Sequence, residues 1–237
     1  MDSSSTYACT AKQEKTISLK VKSVKLLSMN TQQAYNSWSA QYDTNENKTR
    51  DLEAISLREH IKGHEFEHCL EIGCGTGKNT EWLVTQAAKV LAVDLSEEML
   101  SKAKQKISAS NVEFIQADIT QDWSFTNGNQ FDLATFSLVL EHIEDLEAIF
   151  AKLNKVIQPN GIVYIGELHP FKQYNGSKAR FETSEGVQVV TCFNHHITDF
   201  VNAAKNNDFE LIKINEYFDD NNRNNIPRIL TLVFLKN

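Results

Sequence analysis

Three glycines at alternate positions follow a short apolar run near residue 70: Gly73, Gly75 and Gly77. Glycine lets the backbone turn sharply, and its missing side chain lets a ligand approach the main chain. Residues 78–85 have the composition of the first turns of a helix, and the free N–H groups at a helix start attract anionic or nucleotide-like ligands. The stretch therefore predicts a ligand-binding turn between a buried strand and a helix.

Acidic residues at fixed distances from this turn narrow the choice of ligand. Glu71 precedes the first glycine by two positions, and the spacing G-x-G-x-G differs from the G-x-G-x-x-G of dinucleotide sites. Asp94 ends the next apolar run, Lys89–Val93, and lies 21 positions after Gly73. A carboxylate at this offset can accept hydrogen bonds from both hydroxyls of a ribose. Together these features predict a nucleoside-like cofactor at the ends of adjacent strands.

The same segments resemble the motifs of the class I S-adenosylmethionine-dependent methyltransferases, in the small-molecule branch that includes ubiquinone and menaquinone biosynthesis (methyltransferase types 11 and 25). The match covers roughly residues 35–170 and includes Asp118-Ile119 after the third strand and an F-D-apolar segment that starts at Phe131. The resemblance implies S-adenosyl-L-methionine as cofactor and S-adenosyl-L-homocysteine as product. The cofactor-binding residues that it implies are Tyr35, Glu71, Gly73, Cys74, Gly75, Gly77, Asp94, Leu95, Met99, Asp118, Ile119, Ser137 and Leu138.

Three aromatic side chains recur at helical intervals before the glycine turn: Tyr35, Trp38 and Tyr42. They can pack a helix onto the domain, and their segment also resembles the Y-x-x-x-A-x-x-Y-D-like stretch that lies over the cofactor in this family. Both interpretations stay open. The predicted substrate-binding residues are Tyr35, Trp38, Tyr42, His142, His169, Phe171 and Phe193.

A sulfonium methyl group is already activated, so its transfer needs alignment, exclusion of water and, for many acceptors, a base that removes a proton. The candidate catalytic residues are His169, His142, His195, His196 and Glu167, the last as an orienting carboxylate. His169 is favoured because it follows the fifth predicted strand, where such a sheet opens onto substrate. Each histidine could equally shape a turn or a helix start, so the choice of base stays open.

The elements that must hold these residues alternate between strand and helix. Apolar runs predict strands over 89–93, 112–116, 131–136, 161–168, 209–218 and 228–235, and helices over 52–61, 96–107, 146–157 and 198–207. This alternation predicts an α/β fold with a doubly wound, mostly parallel sheet. The resemblance adds a Rossmann-like sheet of seven strands in the order 3-2-1-4-5-7-6, with the last strand antiparallel.

The length of 237 residues suits one large core, and a single methyltransferase domain is predicted over residues 29–237. Residues 1–28 are expected to be a poorly ordered extension, although their basic amphipathic pattern also allows an organelle-targeting peptide or a surface anchor. Residues 169–197 lack helical periodicity and predict a long loop that serves as a substrate lid. The cluster Asp219-Asp220-Asn221 predicts a solvated turn rather than a metal site.

The composition narrows the kinds of molecule with which the chain is expected to interact. A net charge of −7 argues against a nucleic-acid partner. The four cysteines form no C-x-x-C pair, which predicts neither a metal site nor a disulfide, and no apolar run is long enough to span a membrane. These features predict a cytoplasmic monomer or homodimer that acts on a small organic acceptor.

The sequence leaves the acceptor atom open among oxygen, nitrogen and carbon. Signatures resembling those of adenine, pyrimidine and catechol methyltransferases are missing from the chain. The alternatives are a methyltransferase of tRNA or protein, and a catalytically silent cofactor-binding protein. An NAD-linked oxidoreductase is disfavoured by the spacing of the glycines.

Overall fold

The computed structural model describes residues 28–44, 46–183 and 186–237. Residues 1–27, and with them almost all of the expected N-terminal extension, lie outside this described part. The strands are β1 (Ser28–Met29), β2 (Phe66–Ile72), β3 (Ala87–Asp94), β4 (Val112–Gln116), β5 (Phe131–Ser137), β6 (Ile157–Leu168), β7 (Arg180–Thr183), β8 (Gly186–Val190), β9 (Phe209–Tyr217) and β10 (Ile229–Lys236). The helices are α1 (Thr31–Trp38), α2 (Lys48–Ile61), α3 (Thr80–Leu83), α4 (Glu97–Lys106), α5 (Leu146–Val156), α6 (Pro170–Tyr174) and α7 (Ile197–Asn206).

Seven strands form the main sheet in the order β4-β3-β2-β5-β6-β10-β9. Numbered along the chain within this sheet, the order is 3-2-1-4-5-7-6. The pairs among β2 to β6 are parallel, and β10 runs antiparallel to both β6 and β9. The predicted fold class, strand order and antiparallel last strand are confirmed.

Helices cover both faces of this sheet because successive residues of a buried strand point to opposite sides. In β2, Leu70 and Ile72 join a hydrophobic cluster with α5 and α7, whereas Cys69 joins a second cluster with α2, α3 and α4. Because they pair in parallel, β2, β3, β4 and β5 have their carboxyl ends at one edge of the sheet, where a short loop or turn follows each strand.

The segment over residues 169–197 differs from the expected long loop. It contains α6 and the antiparallel pair of β7 and β8, and β8 also pairs with β1 in a second sheet of three strands. Phe181 of this hairpin stacks on Trp38 of α1, with ring centroids 5.2 Å apart. The prediction of an irregular loop was wrong because these short strands are held by partners distant in the chain.

Several element boundaries also differ from the sequence prediction; α2, for example, begins at Lys48 and not at residue 52. The helix after the glycine turn is only α3, because β3 already begins at Ala87. The fifth strand of the main sheet begins at Ile157, earlier than expected, and its pairing with β5 shifts register before Ile162. Asn160 has φ 63° in the shifted segment, and residues 159–161 interrupt the pairing without ending the strand.

Candidate functional site

A cavity of about 260 Å³, which we call the first cavity, lies at the carboxyl ends of β2, β3, β4 and β5. Residues of α1 close it from above the sheet edge. Most of the predicted cofactor-binding residues line it: Tyr35, Gly73, Gly75, Asp94, Leu95, Asp118, Ile119, Ser137 and Leu138. Further lining residues that the sequence did not single out include Thr31, Ala117, Thr120 and Ile143.

The three glycines of the turn have different roles, although all three have positive φ values. A Cβ atom on Gly73 would lie 2.3 Å from Cγ2 of Val139, so this glycine allows the turn to pack against the loop after β5. A Cβ on Gly77 would meet Ile107 at 2.6 Å, and Gly77 serves helix packing away from the cavity. A Cβ on Gly75 would meet nothing within 4 Å, and this residue lines the first cavity.

Asp94 is half-buried at the end of β3 and organises the turn around it. Its Oδ2 accepts a hydrogen bond from the N–H of Gly75 at 2.8 Å, and its Oδ1 accepts from the N–H of Ser96 at 2.8 Å. Each carboxylate oxygen has a second lone pair that can accept a further donor. Burial raises the pKa of Asp94, and the backbone N–H groups oppose that rise.

Two other predicted cofactor residues, Met99 and Asp118, differ in their relation to the first cavity. Met99 is buried in α4 and does not line the first cavity; its N–H donates to the hydroxyl of the N-cap residue Ser96. Asp118 is exposed at the cavity edge, and its Oδ1 accepts from both the N–H and the hydroxyl of Thr120. Ile119, directly after it, is buried against the core.

A small extension of about 50 Å³ continues inward from the glycine turn, and Glu71 and Cys74 line it. Asn79 also lines it and donates to Glu53 Oε2 at 3.0 Å and to the Ser137 hydroxyl at 3.2 Å, while its own buried Oδ1 has no partner. Sequence reasoning missed both Asn79 and Glu53.

Arg50 is one of two cationic side chains that line this inner extension; the other, Lys78, forms an ion pair with Asp51. The guanidinium of Arg50 lies 4.0 Å from the ring centroid of Tyr42. Arg50 and Glu53 lie three residues apart on α2, so one helix face brings both to the site. That spacing was the only sequence signal for them, and it is common on solvated helices.

The buried carboxyl group of Glu71 leads to a prediction about stability. Burial raises its pKa from 4.5 to about 8, although the Thr80 hydroxyl donates to it at 2.5 Å. Between these two pH values the folded chain binds more protons than the unfolded chain, so stability falls as pH rises. We expect the thermal midpoint to decrease across this range, and Glu71→Gln to make the decrease smaller. Glu113→Gln, at an exposed position, is the control and should keep the wild-type pH dependence. If the thermal midpoint of Glu71→Gln also depended on pH as in wild type, the prediction would be contradicted.

His142 is the histidine that lines the first cavity. Its Nδ1 lies 2.7 Å from the carbonyl oxygen of Thr191, so this nitrogen carries the proton and donates. Its Nε2 is then an acceptor and takes a hydrogen bond from the hydroxyl of Tyr35 at 2.8 Å. Burial raises the pKa of Tyr35 well above its ordinary value, which keeps this phenol protonated until a stronger acceptor takes its proton.

The other three candidate catalytic histidines have structural partners instead. His169, favoured from the sequence, is fully buried, accepts the Phe171 N–H at 3.2 Å through Nδ1 and pairs with Glu216 at 3.0 Å through Nε2. His195 donates to the Ile143 carbonyl at 2.7 Å, and His196 contacts the Tyr174 hydroxyl at 2.6 Å. None of the three lines the first cavity or a second cavity that lies beside it, and the expectation that His169 faces substrate is corrected accordingly.

Glu167 positions the loop after β5 without lining a cavity. Its Oε1 accepts the N–H groups of Val139 at 2.9 Å and Leu140 at 2.7 Å, and burial raises its pKa from 4.5 to about 8. The same loop holds Leu138 at φ 59°, which is unusual for a residue with a side chain. In this strained conformation Leu138 lines both the first cavity and the second cavity beside it.

A second cavity of about 290 Å³ lies beside the first one. The two share Tyr35, Tyr42 and Leu138. The other residues that line it are Trp38, Asn47, Thr49, Arg50, Glu141, Leu168, Arg228 and the four residues 177–180. Of the predicted substrate residues, Phe171 and Phe193 line neither cavity; the Phe171 side chain is exposed, and Phe193 is held by its N–H donating to the Glu141 carbonyl at 2.7 Å.

Comparison with known proteins agrees with this architecture. Residues 70–165 match the family model described as "Methyltransferase domain". Together with the sheet order, this match confirms the resemblance to the class I S-adenosylmethionine-dependent methyltransferases. Within the described residues, no helix has the length and apolar character needed to cross a lipid bilayer.

The proteins that this chain resembles carry names that differ in the methylated atom. A ubiquinone biosynthesis O-methyltransferase of Vibrio atlanticus is 29% identical over 119 residues, which is 49% of this chain and 50% of that protein. The chain thus spans about half the length of this curated relative.

Two solved structures show the same fold. An S-adenosylmethionine-dependent methyltransferase from Mesorhizobium loti has a TM-score of 0.62 and 19% identity, and covers 77% of this chain and 96% of its own. The N-methyltransferase NodS from Bradyrhizobium japonicum WM9, in complex with S-adenosyl-L-homocysteine, has a TM-score of 0.65 and 18% identity, with 88% and 99% covered.

Proposed function

We propose that this chain transfers a methyl group from S-adenosyl-L-methionine to a small organic acceptor. The observation that carries the proposal is the meeting of two cavities at Tyr35, Tyr42 and Leu138. The first cavity has the glycine turn and the strand-end carboxylates of a nucleoside site, and three aromatic side chains, Tyr35, Trp38 and Tyr42, line part of the second. A group held in one cavity can therefore be passed to a molecule in the other.

The residues of the first cavity fit the cofactor. Asp94 has lone pairs left for two ribose hydroxyls, and the family resemblance assigns the adenine to Asp118 and Ile119. The bare Gly75 leaves the main chain open to a ligand. In the inner extension, the Arg50 guanidinium and the orphaned Asn79 Oδ1 match the carboxylate and the ammonium of a methionine group.

The cofactor supplies an electrophilic methyl group on a positively charged sulfur. The chain then has to align the acceptor, exclude water and hold the proton that leaves an acceptor hydroxyl or ammonium. Tyr35 lines both cavities and its hydroxyl donates to His142 Nε2 at 2.8 Å. We assign the proton path to this pair: the acceptor proton moves to the Tyr35 oxygen while the Tyr35 proton moves to His142. The hairpin of β7 and β8 covers the acceptor side as a lid.

The proposal is tested with methyl-labelled S-adenosyl-L-methionine, the purified chain and a cell extract divided into small-molecule and macromolecular fractions. We expect label in the small-molecule fraction. Label in RNA or protein would instead identify a macromolecular methyltransferase. Bound cofactor without any transfer would indicate a catalytically silent binding protein. A cytoplasmic location and a monomeric or homodimeric state stay predictions of the sequence.

The proton path gives a prediction for Tyr35→Phe, which keeps the ring and removes the hydroxyl. We expect the rate of label transfer at saturating cofactor to fall on the order of 100-fold, the lower end of what a positioned acid or base contributes. Cofactor binding should change little in comparison. Tyr217→Phe is the matched control, since its hydroxyl donates to Glu59 at 2.6 Å away from both cavities. Equal rates in the two variants would remove Tyr35 from the proton path.

A further inference from the structure

The second cavity has a charge opposite to that of the whole chain. The chain has a net charge of −7, yet the second cavity is lined by four basic side chains: Arg50, Lys178, Arg180 and Arg228. Its one acidic lining residue is Glu141. Basic side chains that converge on a concave surface raise the local concentration of anions.

Two of these four basic groups are engaged by neighbouring side chains. Arg228 forms an ion pair with both oxygens of Asp219, and Arg50 lies over the Tyr42 ring and reaches the inner extension of the first cavity. Lys178 and Arg180 have no carboxylate within 4.0 Å among the side chains that the structure describes. These two cations are exposed and available to a bound anion.

Arg180 also lies where the second cavity adjoins a third one. Arg50 and Arg180 line both the second cavity and this larger outer one of about 760 Å³. An acceptor that enters from the outer cavity therefore passes Arg180 before it reaches Tyr35. Glu46 is the acidic residue of the outer cavity, so the positive charge is concentrated at the boundary between the two.

The second cavity also contains a buried carboxyl group, one of whose oxygens lacks a hydrogen-bond donor within the part of the chain that the structure describes. Glu141 is only 6% exposed, and its Oε2 has no hydrogen-bond partner among the described residues. Burial raises the pKa of this carboxyl group, and the neighbouring His142 opposes that rise. A buried carboxyl oxygen without a partner costs stability unless a ligand supplies a donor.

We infer that the acceptor is a small organic anion which also carries a hydroxyl or amine group. Its carboxylate, phosphate or similar acidic group lies against Arg180 and Lys178, and its hydroxyl or amine donates to Glu141 Oε2. The inference rests on the proposed methyl transfer and adds the chemical class of the acceptor to it. Arg180 and Lys178 act as specificity residues, because they line neither the first cavity nor its inner extension.

In the test, a small-molecule cell extract is first separated by anion-exchange chromatography. Each fraction is then mixed with the purified chain and methyl-labelled S-adenosyl-L-methionine, so that the charge of the acceptor is known before methylation changes it. We expect label transfer with the anion-retained fraction. The double variant Lys178→Glu with Arg180→Glu should lower that transfer at least 10-fold, while its affinity for S-adenosyl-L-homocysteine stays at the wild-type value. The charge-matched control is Lys205→Glu with Lys213→Glu, two exposed positions that line neither cavity.

Further measurements distinguish a loss of transfer caused by the changed charge from a loss caused by misfolding. Raising the salt concentration should lower transfer by wild type and by the control, and should affect the double variant less. Glu141→Gln should raise the acceptor concentration needed for half-maximal transfer. Label transfer confined to the unretained fraction, or equal transfer by the double variant and its control, would overturn the inference and leave the proposed methyl transfer standing. Absence of transfer from every fraction would overturn both.

Discussion

Asp94→Ala is expected to reduce the affinity for S-adenosyl-L-homocysteine by at least about 100-fold. The carboxylate would accept the two ribose hydroxyls, and hydrogen bonds to a charged group contribute about 1.5–3 kcal/mol each. Two such bonds correspond to about two to four powers of ten in affinity. The affinity is measured by isothermal titration calorimetry on the folded variant.

The control for this variant has to remove the same backbone support elsewhere. Asp94 accepts the N–H groups of Gly75 and Ser96, so its loss also loosens the turn. Asp132 accepts the N–H groups of Glu67 at 2.7 Å and His68 at 2.9 Å, and it lines neither cavity. Asp132→Ala should therefore lose stability but bind the ligand like wild type. Wild-type affinity in Asp94→Ala would overturn the assignment of the ribose site.

Gly75→Leu is the second variant with a large expected effect. Gly75 has φ 55°, a Cβ on it would meet nothing within 4 Å, and it lines both the first cavity and its inner extension. A leucine side chain would fill space that the cofactor needs. We expect no measurable binding of S-adenosyl-L-homocysteine to the folded variant, as followed by calorimetry.

Gly63→Leu separates this blockage from backbone strain. Gly63 has φ 85°, a Cβ on it would also meet nothing within 4 Å, and it is exposed after α2. Both variants should lose about 1–2 kcal/mol of stability, the cost of a left-handed conformation for a residue with a side chain. Only Gly75→Leu should lose binding. Equal affinity in the two would mean that the cofactor does not lie against the glycine turn.

The fold could be predicted largely from local signals. Strands buried on both faces have continuous apolar runs, and β4 was predicted over its observed range. The helix predicted over residues 96–107 begins at Glu97, and the hydroxyl of its N-cap residue Ser96 accepts the Met99 N–H at 3.1 Å. The hairpin of β7 and β8 could not be found this way. Its strands are short, and it is held by β1 and Trp38, more than a hundred positions away.

The same distinction between local signals and contacts of distant residues applies to the candidate site. Gly75 and Asp94 could be predicted to line the site because a backbone turn and a strand end fix their positions. The role of a histidine depends on the partners that folding brings to it. His169 pairs with Glu216, 47 positions later, and His142 pairs with Tyr35, 107 positions earlier. No spacing rule distinguishes these two pairings.

The most direct measurement is a calorimetric titration of the wild-type chain with S-adenosyl-L-homocysteine, followed by the same titration of Asp94→Ala and Gly75→Leu. We predict one bound ligand per chain for wild type and a large loss of affinity in both variants. No binding to the folded wild-type chain would contradict a cofactor site at the glycine turn, and with it the proposed methyl transfer.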